Sequence, residues 1–171
     1  MAATIEIHEM SALNTGVNKS GGTVRFKDAD NATVDLLNPV VIPATGTTYS
    51  YTKKLRAYMS DPPNTQISNL RWYTDGNNGF GTGIEVSVKN LGITWGANYK
   101  TEMANGSDLF SFILEGSPGA LDGSITDAGP FVPGDDDSYI GDLIELQMSV
   151  ASTASSGALT PETLTMAYDE I

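Results

Sequence analysis

Apolar and polar residues alternate with period two in four stretches of the chain. In 23–27 (TVRFK), Val24 and Phe26 point one way and Thr23, Arg25 and Lys27 the other. In 83–88 (GIEVSV), Ile84, Val86 and Val88 alternate with Glu85 and Ser87. In 141–150 (GDLIELQMSV), Ile144, Leu146, Met148 and Val150 alternate with Glu145, Gln147 and Ser149. In 163–168 (TLTMAY), Leu164, Met166 and Tyr168 share a face. Such alternation predicts half-buried strands, with one side on a core and the other toward water or a partner. Turn chemistry separates them at 28–31 (DADN), Asn38–Pro39, 44–46, 61–64 (DPPN), 75–79 (DGNNG), 116–119 (GSPG) and 134–137 (GDDD). About nine or ten short strands at this spacing predict an all-β, antiparallel β-sandwich of jelly-roll-like form. Thr160-Pro161 could open a helix, but the β-leaning residues that follow favour a strand. One domain over 1–171 is expected, with 1–20 as an extended N-terminal arm and 115–139, rich in Gly, Pro and Asp, as a long surface loop.

Composition narrows the chemistry. With no cysteine in 171 residues, the fold has no disulfide and no thiolate metal site or nucleophile. The first ten residues show no basic segment followed by an apolar run, and no apolar stretch reaches the roughly 20 residues of a membrane helix. The expectation is a protein made in a cytoplasm, without a membrane partner. Net charge is −12. All nine Lys and Arg fall between Lys19 and Lys100, against eight acids in 1–100, whereas 101–171 holds thirteen acids and no base. That acidity disfavours nucleic acid. It gives a self-repelling surface, or an acidic half that meets a basic partner or the basic half of a neighbouring copy.

The glycines of 76–83 lack the spacing and lysine of a P-loop, and a strand rather than a helix follows them. They read as a turn between strands, with Asp75–Gly76 as a hairpin signal. His8 is the only histidine, and no G-x-S-x-G elbow accompanies it. Hard-oxygen calcium candidates are Asp135, Asp136, Asp137 and Asp142, while 28–35 begins like an EF-hand but lacks its glycine and closing glutamate. Glu85 and Glu145 lie mid-strand on the side away from the core, as a glycosidase pair would. Trp72, Tyr73 and Trp95 could stack on sugars. Lys53, Lys54, Arg56 and Arg71 lie near aromatics, so that with Trp72 and Tyr73 they form a candidate interface for an acidic protein surface. The plain alternative is a strand edge whose lysines discourage pairing. No catalytic residue and no cofactor is assigned.

Three stretches resemble virion structural proteins of tailed bacteriophages: 38–58 (NPVVIPATGTTYSYTKKLRAY), 69–83 (NLRWYTDGNNGFGTG) and 140–171 (IGDLIELQMSVASTASSGALTPETLTMAYDEI). The last is the most specific. An Ile-Gly-Asp strand carries Leu146, Gln147, Met148 and Val150, a TASSG turn follows, and the final strand ends Tyr168-Asp169-Glu170-Ile171. The resemblance implies a non-enzymatic virion component, foremost a head decoration (cement) protein that stabilises the capsid across capsomers. It would be located in the virion, with the major capsid protein or other virion proteins as partners, and as a homo-oligomer, trimers included. The alternatives are a neck or tail structural protein, a carbohydrate- or receptor-binding module, and, more remotely, a jelly-roll glycosidase.

Overall fold

The computed structural model describes residues 3–61, 67–112, 138–157 and 159–170. Nine strands lie among the described residues: β1 (Thr4–Ala12), β2 (Thr15–Asn18), β3 (Thr47–Tyr49), β4 (Lys53–Asp61), β5 (Ile67–Tyr73), β6 (Ile84–Gly92), β7 (Ser107–Asp108), β8 (Ser138–Ala151) and β9 (Thr165–Glu170). A 3-10 turn at Leu109–Ser111 is the one helical element among the described residues. Seven strands form one sheet in the order β2-β1-β4-β8-β6-β7, with β3 added beside the end of β8. β5 and β9 pair as a separate ribbon. Every pairing among the described residues is antiparallel. The all-β, antiparallel expectation therefore holds. The strand order among the described residues does not single out a jelly roll.

The core lies between the large sheet and the ribbon. Leu55 of β4, Ile84, Val86 and Val88 of β6, and Ile144, Leu146, Met148 and Val150 of β8 converge on Trp72 of β5 and on Phe110 and Phe112. A smaller cluster joins Ala57, Met59 and Ile140 to Ile67 and Leu70, with Met166 and Tyr168 packed against it. The alternation read in 84–88, 144–150 and 164–168 thus marks core-facing residues.

Three expectations change. In place of the expected arm over 1–20, residues 4–18 fold into the sheet: β1 and β2 form a hairpin, and β1 runs along β4 from Thr4 to Glu9. Residues 23–27 are not in a strand, although Val24 and Phe26 pack on the core and Lys27 is buried. Their alternation reports side-chain burial, not a ladder partner. Of the expected loop 115–139, Ser138 and Tyr139 already belong to β8; residues 115–137 lie outside the described residues.

β8 is bulged opposite Arg56. Leu55 pairs with Ile144 and Ala57 with Ile140, so one residue of β4 faces three of β8. Gly141 takes a positive φ of 63° there, a conformation glycine adopts without the steric cost of a Cβ. The bulge turns the Gly141 carbonyl out of the ladder, and Arg56 Nε donates to it at 2.8 Å.

The glycine loop after β5 does not close a hairpin, because β5 and β6 belong to different layers. It crosses between sheets. Gly83, with φ 78°, lies so close to the turn after β8 that a Cβ would stand 2.9 Å from Ala154 N and from Thr153 Oγ1. Gly83→Ala is expected to cost about 1–3 kcal/mol through backbone strain and this overlap. Gly81→Ala, at φ 93° but with open space around it, should cost less. Urea midpoints of the two variants check the order.

Candidate functional site

Adjacent residues of a strand point to opposite faces. Lys53 and Lys54 therefore leave β4 on opposite sides of the sheet, yet both are buried, with 2% and 1% side-chain exposure. Each has its own glutamate. Lys53 Nζ lies 2.9 Å from Glu9 Oε1 on β1, and Lys54 Nζ lies 2.8 Å from Glu145 Oε1 on β8. The register dictates this: β1 and β8 flank β4, and Lys54 is the direct cross-strand partner of Glu145. Glu9 Oε2 is also 3.5 Å from Lys19 Nζ.

The sequence suggests a solvated face around Lys54, but chain segments cover it. Thr52 N–H donates to Tyr99 O at 2.9 Å, and Gln147 Nε2 donates to Thr101 O at 2.8 Å and to Ser50 O at 3.0 Å. Beneath this cover Lys54 also donates to Asn98 Oδ1 at 2.7 Å and lies 5.3 Å from the centre of the Trp95 ring. The Tyr99 hydroxyl donates to Glu145 Oε2 at 2.9 Å, so both carboxylate oxygens are engaged. Loss of hydration, then the neighbouring carboxylate, push the Tyr99 phenol up to about 12 from an ordinary 10.0. It holds its proton at neutral pH. An unfolded chain ionises this tyrosine near 10 and the folded chain near 12. Its contribution to stability is therefore complete below pH 10 and is lost as pH rises from 10 to 12. A tyrosinate absorbance titration should show a late phase, which Tyr99→Phe removes.

A second polar cluster occupies β1, β4 and the start of β8. His8 stacks on Tyr58 with ring centres 4.5 Å apart and meets Tyr139 edge-on at 5.5 Å. His8 Nε2 is 2.8 Å from Glu6 Oε2, and Nδ1 is 3.1 Å from the Tyr139 hydroxyl. Arg56 lies over Tyr139 and reaches Leu13 O and Asn14 Oδ1 in the β1–β2 turn. Burial lowers the Arg56 pKa, against the opposing charges of Asp142 and Tyr139.

These positions correct the expected docking face. Lys53, Lys54, Arg56 and Trp72 are buried and do not present themselves to a partner. Trp72 is a core residue. Arg71 and Tyr73 remain partly exposed on β5, with Arg71 2.9 Å from Asp169 of β9. Asn69 and Arg71 together hold the Asp169 carboxyl below its ordinary value. Six of the nine bases are paired with acids of the same chain, which leaves few cations to meet a neighbour's acidic half.

The other candidates also separate. Asp135, Asp136 and Asp137 lie outside the described residues, and Asp142 is half-buried beside Arg56. Asp28 pairs with Lys100, Asp30 accepts from Asn98 at 2.7 Å, and Asp35 pairs with Lys27 at 3.1 Å. Among the described residues no three acidic or histidine side chains gather as a metal site. Glu85 and Glu145 do lie on neighbouring strands, but Glu85 faces Ser149 while Glu145 faces Lys89. That offset of four residues is about 13 Å at ~3.3 Å per residue, too far for the carboxyl pair of a retaining or inverting glycosidase. Glu85 is exposed and Glu145 buried.

What the sequence reading missed is Glu9, Tyr99, Gln147 and a run of exposed aliphatics. Val34, Leu36, Leu37 and Val41 are 51%, 80%, 67% and 62% exposed. Their signal was visible as VDLLNPVV, an apolar run without strand alternation. Comparisons with protein-family models, curated proteins and solved structures give no match to this chain.

Proposed function

We propose that this chain is a non-enzymatic structural protein of a tailed-phage virion, acting as a head decoration protein that binds the major capsid protein across capsomer junctions. The observation that carries this reading is the internal pairing of charge on both faces of β4. Lys53, Lys54, Glu9 and Glu145 hold the sheet to its neighbours and covers, and each charge is compensated within the fold. Such groups build a rigid body. Two of the phage-like stretches, 38–58 and 140–171, cover most of β4 and β8, the strands that carry Lys54 and Glu145.

In this role the chain works by contact rather than turnover. Binding the assembled lattice but not its free subunits stabilises the lattice by mass action. Interfaces of roughly 1,200–2,000 Å² at each copy would add across the shell. The acidic residues of 101–171 suit an outward position, because they would repel packaged DNA.

Mass spectrometry of purified particles tests the proposal. The expected result is a copy number in fixed proportion to the major capsid protein. Its absence from particles overturns the virion role, and a handful of copies per particle replaces the head location with the neck or tail.

A further inference from the structure

We infer that the loop of residues 34–41 is a self-association surface whose occupant is the same loop of a second copy. Seven large hydrophobic side chains are exposed among the described residues, and Val34, Leu36, Leu37 and Val41 are four of them. Single exposed aliphatics are ordinary, but four within eight residues form a patch of the kind that marks an interaction site.

The loop is held in shape from beneath. Lys27 is fully buried, and its Nζ donates to Thr33 O at 3.0 Å and to Asp35 Oδ1 at 3.1 Å. The same carboxylate oxygen accepts the Leu37 N–H at 2.9 Å. The Asp28 N–H closes the loop on Asn38 O at 2.7 Å, and Asn38 itself has a φ of 51°. Leu36 and Leu37 are thus presented on a fixed backbone, which lowers the ordering cost of binding.

Charge selects the occupant. The excess of negative charge lies in residues 101–171, with thirteen acids and no base, so two copies repel where those residues face each other. Residues 19–42 carry none of that excess: Lys19, Arg25 and Lys27 balance Asp28, Asp30 and Asp35. A second copy offers an equally neutral, equally apolar loop, and rotation about a symmetry axis sets the two face to face. A basic partner would be drawn to the acids of 101–171 instead, and an anionic lipid surface would repel the molecule as a whole.

The inference does not depend on the virion role, and its test needs no particles. Sedimentation of the full chain should show reversible self-association. Leu36→Asp combined with Leu37→Asp should raise the self-dissociation constant at least about tenfold, with the far-ultraviolet spectrum unchanged. About 0.5 M salt should tighten wild-type association by screening the net charge. Because the chain has no cysteine, Leu36→Cys should give a disulfide-linked dimer on mild oxidation, where Glu85→Cys does not. The cross-link keeps the test decisive if the double variant fails to fold. A wild type monomeric at every concentration overturns the inference, as does association unaffected by a folded double variant. Weakening by salt would assign association to ion pairing, and binding to neutral phosphatidylcholine vesicles without self-association would assign the loop to lipid; either overturns it.

Discussion

Lys54→Ala is expected to destabilise the fold by about 3–5 kcal/mol, because it strands the Glu145 carboxylate inside the sheet without its cation. Glu145 is 2% exposed, and among the described residues the Tyr99 hydroxyl would be its remaining side-chain hydrogen-bond partner. Against a typical total of about 5–15 kcal/mol, this is a large fraction of the stability. Glu145→Ala should cost a similar amount by stranding the lysine. The double variant should cost well below the sum of the two, since the second change then removes a charge already left unpaired. Urea unfolding of the four proteins completes the cycle. Additive losses would mean that the two groups do not interact, and a loss below about 1 kcal/mol for Lys54→Ala would mean that this face is wet.

Trp72→Ala is expected to cost about 3–5 kcal/mol, as truncation of a large core side chain does. Trp72 lies directly across from Met166 in the β5–β9 ribbon and inside the main apolar cluster. Its removal opens a cavity where the ribbon is fixed to the large sheet. A tryptophan serving as a sugar platform would behave in the opposite way: stability would stay within about 0.5 kcal/mol and ligand binding would fall. Thermal or urea unfolding separates the two outcomes.

The strands were legible where alternation and ladder coincide. Ile84–Val88 and Ile144–Val150 read correctly because one face must leave water whatever the partner strand is. The glycine loop at 75–83 read correctly as a connection between strands but wrongly as a hairpin, because turn chemistry describes the turn and not the partner. Residues 23–27 mislead for a related reason: Val24 and Phe26 alternate to reach the core from irregular backbone. The site was harder. Lys53 and Lys54 look like solvated residues because lysine is seldom buried. Only the register, which sets Glu9 and Glu145 beside them, shows why these two are. Gly141 carried a usable hint, since glycine inside a strand suggests a bulge. Arg56 as the group that satisfies that bulge depends on tertiary placement.

β8 pairs with β3, β4 and β6, so the central strand of the large sheet leaves the ribosome only after β1 to β7. A nascent chain that has reached only Phe112 holds β1, β2 and β4 with one bare edge, and β6 with no central partner. Long-range closure of this kind slows folding and exposes sticky intermediates. Biogenesis therefore depends on the C-terminal third arriving before those edges find other chains, and a stop codon ahead of Ser138 should yield aggregate rather than a smaller domain.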